Sequence, residues 1–312
     1  MTSKSNMKEE FKNQHIVPQA YLNRFAIKKG GKYIIGTRLS HKNGKGVKLF
    51  NSAVKDVAYI KNYYDTDNQE DVKYWEHHFN NNFDSLCGKT LESIIASITL
   101  SSQYSRAISA KYKSILSQII MSQAIRVPAY LEEQTENATL LIDSCIENII
   151  QQNEDLTSNQ IDLIKQISFD VGMRKNMVLS GVFKKEFFGE YCKVLESKVW
   201  IVFYNNIRNK MPFVTSDNPV LFSTVGGKAS KITKLGLANS KTVIFFPLTP
   251  SIMIGIYSPD ILFGLVKQYD GKRINIDEER FIIDINAKII AQSNLHSFLP
   301  EPLFSAIKDN EK

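Results

Sequence analysis

The feature that most constrains the fold is a change in the spacing of apolar residues near residue 198. From about residue 68 to residue 197, apolar side chains recur at three- and four-residue steps, which is the period of amphipathic helices. Beyond that point, β-branched and aromatic runs are separated by Gly, Pro, Asn and Asp, as strands are separated by turns. Because helices and strands are segregated along the chain, the order predicts an α+β fold rather than alternating βαβ units.

Three zones follow, which we expect to form one integrated domain. Residues 1–67 predict a basic lobe with a helix and a β-hairpin, whose strands are residues 32–38 and 47–50 and whose turn is residues 40–46. Residues 68–197 predict a helical bundle that begins with one long amphipathic helix from Val72 to Ile98. Residues 198–312 predict an antiparallel or mixed sheet, closed by a helix near residues 277–293.

Composition predicts a soluble cytoplasmic protein. The 312 residues are 43% hydrophobic and 23% charged, which is enough to build a large core. Apolar runs of membrane-spanning length are absent and residues 1–12 are polar, so we expect neither a membrane partner nor secretion. The three cysteines, Cys87, Cys145 and Cys192, lie far apart in apolar-periodic segments, which predicts buried, reduced thiols.

Charge is distributed unevenly along the chain, whose net charge is +7. Residues 1–60 contain twelve Lys or Arg against three Asp or Glu, whereas residues 131–170 contain one Lys against nine acids. The basic lobe is suited to a phosphate backbone, and the acidic segment to a partner protein or to the basic lobe of another copy. Both segments are also compatible with ordinary solvated surfaces.

The residues with the most chemical potential lie in two short segments. Residues 14–25 read QHIVPQAYLNRF, which places an imidazole, a proline and an amide before a helix start. Residues 215–220 read TSDNPV, which presents a carboxylate and an amide in a turn. A third segment, residues 123–128, reads QAIRVP and ends a helix at its proline.

These three motifs, with residues 246–250 (FPLTP) and Asn286, resemble a bacterial family known as domain of unknown function 4238. The matching motifs span nearly the whole chain in the same order. The resemblance implies a role in bacterial defence, and it implies no established reaction.

The residue types favour phosphodiester chemistry. A histidine takes or donates a proton near neutral pH, so His15 would activate water or bind a metal, with Gln19, Asp217 and Asn218 completing the catalytic set. His15, Asp217 and Glu76 would hold a divalent cation, Mg²⁺ or Mn²⁺. Six basic side chains are predicted to contact nucleic acid: Arg24, Arg38, Lys42, Lys45, Lys48 and Arg126.

Each of these residues also has a structural interpretation. His15 is equally suited to cap a helix or stabilise the hairpin, and residues 217–219 (DNP) are a strong turn signal. Arg126 is as well suited to a buried ion pair, Glu76 to an exposed helix face, and the hairpin lysines to ordinary surface. HIVP also resembles the start of His-Asn-His nucleases, but Gln14 replaces their usual acid and no matching helix follows.

The sequence therefore predicts a metal-dependent phosphodiesterase that acts on nucleic acid, provided that His15 and Asp217 meet in space. A non-catalytic module that binds nucleic acid or protein is the first alternative. An enzyme that uses a nucleotide such as NAD is the second. P-loop, Gly-x-Ser-x-Gly, Gly-x-Gly-x-x-Gly and His-Glu-x-x-His motifs are all absent from the sequence, which argues against the enzyme classes that they mark.

Overall fold

The computed structural model describes residues 13–40, 47–66, 71–166 and 171–310, and these residues form the predicted α+β fold. Its strands are β1 (Asn13–His15), β2 (Ile27–Lys29), β3 (Lys32–Ser40), β4 (Val47–Ala53), β5 (Tyr59–Lys61), β6 (Val199–Asn205), β7 (Thr215–Ser216), β8 (Leu221–Thr224), β9 (Thr242–Thr249), β10 (Ile252–Tyr257), β11 (Arg273–Ile276) and β12 (His296–Leu299). Its helices are α1 (Gln19–Leu22), α2 (Tyr74–Asn82), α3 (Lys89–Leu100), α4 (Ala110–Arg126), α5 (Pro128–Gln152), α6 (Ser158–Gln166), α7 (Val171–Val182), α8 (Lys185–Glu196), α9 (Ile232–Leu235), α10 (Glu279–Gln292) and α11 (Glu301–Asn310).

The C-terminal zone contains the predicted sheet, and the sheet is mixed. Its strand order is β11–β6–β10–β9–β8, in which β11 runs parallel to β6 and the other neighbours are antiparallel. The strands are rich in Val, Ile and Phe, and most of their side chains are buried on both faces. Such near-continuous apolar runs indicate strands that are covered on both sides.

A second sheet joins the two ends of the chain. The predicted hairpin is present as β3 and β4, while residues 41–46, including its predicted turn, lie outside the described residues. β12 pairs with β3 on one side and with β7 on the other. The sequence predicts that the helix near residues 277–293 closes the chain. That prediction is wrong, because β12 and α11 follow this helix. β12 is short, and its pairing with residues 36–39 leaves no local sequence signal.

The predicted long helix from Val72 to Ile98 is two helices. α2 ends at Asn82, a tight 3₁₀ turn spans Asp84–Cys87, and α3 begins after Gly88. The apolar spacing continues through the break, which is why the sequence read as one helix. The break frees backbone carbonyl groups, and the guanidinium of Arg24 donates hydrogen bonds to the carbonyl oxygens of Cys87 (2.9 Å) and Gly88 (3.0 Å). Val72, expected on the apolar face, is exposed.

One cluster of buried side chains includes residues from all three predicted zones, among them Leu22, Leu91 and Trp200. A second cluster lies between the mixed sheet and α10. Cys87 and Cys192 are buried as expected, but Cys145 is exposed, because α5 contains no buried residue beyond Thr135. Of the helices in the described ranges, none combines the length and apolarity needed to cross a bilayer.

Candidate functional site

His15 lies on β1, opposite Tyr59 of β5, and its ring forms a hydrogen bond through one nitrogen only. The ring donates a hydrogen bond to the backbone carbonyl group of Lys55, while Nε2 is buried without a hydrogen-bond partner among the described residues. Burial lowers the pKa of His15, and the positive charge of Arg126 lowers it further. The imidazole is therefore neutral at pH 7.

Arg126 is fully buried at the end of α4. Its Nη1 donates to Oδ1 of Asp84 at 2.6 Å, and its Nε donates to the backbone oxygen of Ile16 at 3.2 Å. With its amide oxygen turned toward the guanidinium, Gln123 accepts from Nη2 at 2.8 Å. Burial raises the pKa of Asp84, and the charge of Arg126 opposes that shift. This geometry matches the structural interpretation of Arg126, whose guanidinium has no exposed surface for a phosphate group.

Asp217 is 1% exposed and its carboxylate closes a turn. Oδ1 accepts from the backbone N–H of Asn294, and Oδ2 accepts from those of Leu295 and His296, at 2.8 to 2.9 Å. Burial raises the pKa of Asp217, and these three hydrogen bonds oppose the shift. Asn218 exchanges hydrogen bonds with Gln292: its Nδ2 donates to the backbone oxygen at 3.3 Å, and Gln292 Nε2 donates to its backbone oxygen at 2.6 Å.

The two motifs are linked, but through Tyr21 rather than through a contact of His15 with Asp217. The hydroxyl group of Tyr21 forms a hydrogen bond with Oγ1 of Thr215 (2.8 Å) and donates to the backbone oxygen of Pro247 (2.7 Å). His15 interacts electrostatically with Asp56 and Arg126, whereas the charged neighbour of Asp217 is His296, with Nδ1 at 4.0 Å. The predicted catalytic pair thus belongs to two separate local networks.

The remaining predicted site residues are dispersed. Gln19 is exposed on α1, Arg38 is half-buried on β3, and Lys48 is exposed with its Nζ 5.8 Å from the centre of the Phe50 ring. Glu76 is half-buried rather than exposed as the structural interpretation had it; burial raises its pKa, and it accepts a hydrogen bond from Asn80. Lys42 and Lys45 lie outside the described residues. Within the part of the chain that the structure describes, no group of three His, Cys, Asp or Glu side chains is arranged to hold a metal ion.

A cleft of about 590 Å³ opens next to the Asn218 turn, between the α4–α5 junction, β8 and α10. Its walls are built mainly from small apolar side chains: Ala124, Ala129, Ala229, Ala287 and Ala291, with Val127, Val220 and Phe222. Three lysines, Lys228, Lys231 and Lys288, lie on the same cleft with two acids, Glu133 and Asp284. The small side chains leave open space where the three helices approach β8.

One side of the cleft is a segment of six consecutive lining residues, 228–233, which we call the lid. Glycines flank it: Gly226 and Gly236 have φ of +67° and +69°, which favour glycine. The lid is tied to α5 because Glu133 accepts from Nζ of Lys231 at 2.6 Å and from Oγ1 of Thr233 at 3.0 Å. We call these contacts with Glu133 the latch; the lid is also held to β8, because the backbone N–H of Ser230 donates to the backbone oxygen of Phe222 at 2.8 Å.

Sequence reasoning missed this cleft, apart from Asn218. The lysines that line it, and its alanines other than Ala124, belong to no recognised motif, and alanine is common in any helix. One signal was available: Ala287 and Ala291 are four residues apart, which puts two small side chains on one face of α10. Small residues at that spacing leave room beside a helix, but they do not reveal whether another helix or a ligand takes it.

Comparison with known proteins yields one family. No curated protein matches the chain, and no solved structure matches it. A family model described as "Protein of unknown function (DUF4238)" matches residues 13–299, which is nearly the whole chain and includes the three motifs and every lining residue of the cleft. The chain therefore belongs to the DUF4238 family of proteins of unknown function.

Proposed function

We propose that this protein binds a small organic anion with a flat apolar body in the cleft beneath the lid. The observation that carries the proposal is the combination of alanine-lined walls with three lysines on one cavity. A volume of about 590 Å³ falls within the usual range of ligand sites. Apolar walls favour the body of such a ligand, and a few charged groups orient its acid.

The lysines favour an anion over a neutral ligand. Both acids on the cleft already have cationic partners, since Glu133 pairs with Lys231 and Asp284 pairs with Lys288 at 2.7 Å. Lys228 is exposed and has no ion-pair partner within the described ranges. The α5 helix adds to this field, because its first turn lines the cleft and contains no acidic residue. A carboxylate, sulfonate or phosphate group would therefore meet an excess of positive charge.

A fluorescence titration with 1-anilinonaphthalene-8-sulfonate tests the proposal, because this probe combines flat rings with an anionic group. Ala287→Phe should fill the cleft and weaken binding at least about tenfold, since an apolar probe loses its contact surface. Ala287 is exposed, so the larger side chain should not disturb the core. Ala96→Phe, on the exposed face of α3, is the matched control and should bind like the wild type.

Lys228→Gln separates the charge from the apolar contacts and should weaken binding several-fold without changing the number of probe sites. Equal affinity of the wild type and the Ala287→Phe variant would refute the cleft as the binding site. A thermal-shift panel of NAD, AMP and other planar acids then identifies the preferred class, because a ligand that binds the folded state raises the melting temperature. Binding without turnover would favour a non-catalytic role for the cleft.

A phosphodiesterase in bacterial defence stays a second proposal, and one observation favours it. His15 is anchored through one ring nitrogen, burial lowers its pKa, and its buried Nε2 has no hydrogen-bond partner among the described residues, so this nitrogen would be free to accept a proton from a substrate that reached it. Asp217 would have to release its backbone donors before it could hold Mg²⁺ or Mn²⁺ with Glu76. Cleavage of DNA and RNA with either metal should be lost in His15→Gln at unchanged melting temperature; equal cleavage by both proteins would exclude His15.

A further inference from the structure

We propose that copies of this chain associate through an acidic arm of one copy and the basic lobe of another. The acidic arm is the outer part of α5 from Glu136 onward together with α6, and the contact uses the described part of the basic lobe that contains β2 to β5, residues 27–40 and 47–61. The proposal is independent of the cleft and of any ligand.

The acidic arm exposes apolar side chains that the fold leaves uncovered. α5 is 25 residues long, yet its buried residues are confined to Pro128, Leu131 and Thr135 at its start. On the arm, Leu140 and Leu141 are each 68% exposed and Leu163 is 62% exposed. Single exposed leucines are common, but these three lie on two helices that contact each other, and several exposed apolar side chains in one region are typical of the patches that mark an interaction surface.

The carboxylates around that patch are largely available to a partner. Glu136, Glu147, Glu154, Asp155 and Asp162 are exposed. Asp143 of the arm lies near Arg174, with a long distance of 3.7 Å between Oδ1 and Nη2. An apolar surface surrounded by acids favours a partner that offers apolar and basic side chains together.

The basic lobe of the same chain has that composition. Exposed side chains of both kinds lie on each face of these strands: Lys28, Lys48 and Tyr33 on one face, and Lys29, Ile27 and Val47 on the other. The three apolar side chains are each 39% to 48% exposed. Opposite charges would steer the two surfaces together, and the apolar side chains would supply contact area that is removed from water. A nucleic acid would neutralise the lobe but would leave the leucines of the arm uncovered, so a second copy accounts for both surfaces.

Light scattering during size exclusion tests the proposal on the full chain. In about 50 mM salt the mass should exceed that of the 35.5 kDa monomer, and association should weaken at least about tenfold in about 500 mM salt, because salt screens exposed charges. Lys28→Glu/Lys29→Glu lowers the positive charge of the lobe by four units, and Glu136→Lys/Glu147→Lys lowers the negative charge of the arm by four units. Each variant alone should be monomeric with an unchanged circular dichroism spectrum.

An equimolar mixture of the two variants should associate again, because the arm variant retains an unchanged lobe and the lobe variant retains an unchanged arm. Rescue in the mixture is specific to an arm–lobe contact and would not follow from a general effect on solubility or folding. A monomeric wild type at low salt would overturn the proposal, as would association that both variants retain. A monomer whose lobe variant loses affinity for a DNA duplex would assign the lobe to nucleic acid instead.

Discussion

The motif junction and the cleft lie next to each other and are built in opposite ways. At the junction, Arg126, Asp217 and Tyr21 are buried and each has hydrogen-bond partners from distant parts of the chain. The cleft is lined mainly by small apolar side chains and by lysines, and its ion pairs, such as Lys231 with Glu133, involve side chains that solvent reaches. The buried motif residues thus hold the zones together, while most of the space available to a ligand is made by residues outside the motifs, joined by Ala124, Val127, Asn218 and Val220.

This difference shows that a chemically capable side chain is not by itself a site. Carboxylates and guanidinium groups are costly to bury unless they are paired, so a fold that encloses them must satisfy them internally. The carboxylate of Asp217 accepts from three backbone N–H groups, and the guanidinium of Arg126 pairs with the carboxylate of Asp84. Substitutions at the junction should therefore lower stability strongly, and substitutions at the cleft should mainly change binding.

The largest effect is expected at Arg126. Arg126→Met should lower the free energy of unfolding by about 3–5 kcal/mol, because it leaves the Asp84 carboxylate buried without its cation. Urea denaturation measures this loss. The double variant Arg126→Met/Asp84→Leu should recover a large part of it, since both charges are then removed. A loss below about 1 kcal/mol in the single variant would mean that the pair is not part of the framework.

Asp217→Asn should have the next largest effect, a loss of about 2 kcal/mol in the same measurement. Asparagine keeps one acceptor oxygen and turns an NH₂ group toward backbone N–H donors that the carboxylate now satisfies. Asp260→Asn, an exposed position, is the control and should stay within about 0.5 kcal/mol. If Asp217→Asn were neutral, the carboxylate would be free for another role such as metal binding.

The sequence predicted what local patterns determine. The helical zone, the C-terminal sheet and the β3–β4 hairpin follow from periodicity, and α4 ends before Pro128 as expected. It did not predict the pairing of β12 with β3 or the break after Phe83, because a distant strand partner and carbonyls capped by Arg24 leave no mark on neighbouring residues. The same holds for the candidate site: the sequence shows which chemically capable residue types are present, but it does not show which residues they contact.

His15 offers a smaller, pH-dependent test. Its pKa is lowered in the folded protein, so the unfolded chain binds the proton first and stability falls as pH drops below about 6.5. His15→Gln should remove up to about 1.4 kcal/mol of that loss between about pH 6.5 and 5.5, as denaturation at several pH values would show. Burial also lowers the pKa values of His78 and His296, so part of the decrease in stability at low pH should remain in the variant. Parallel profiles for the two proteins would exclude a neutral, buried His15.

The smallest change in stability is expected at the latch, where binding should change more than folding. Glu133→Gln weakens the contacts of α5 with Lys231 and Thr233, which are largely exposed and stabilise the fold by a few tenths of a kcal/mol. It should nevertheless tighten binding of the anionic probe several-fold, because the internal carboxylate no longer competes for Lys231 and the lid opens more easily between Gly226 and Gly236. Glu136→Gln, one turn further along α5 and outside the cleft, removes the same charge and should leave affinity unchanged. Equal gains in both variants would attribute the effect to net charge rather than to the latch.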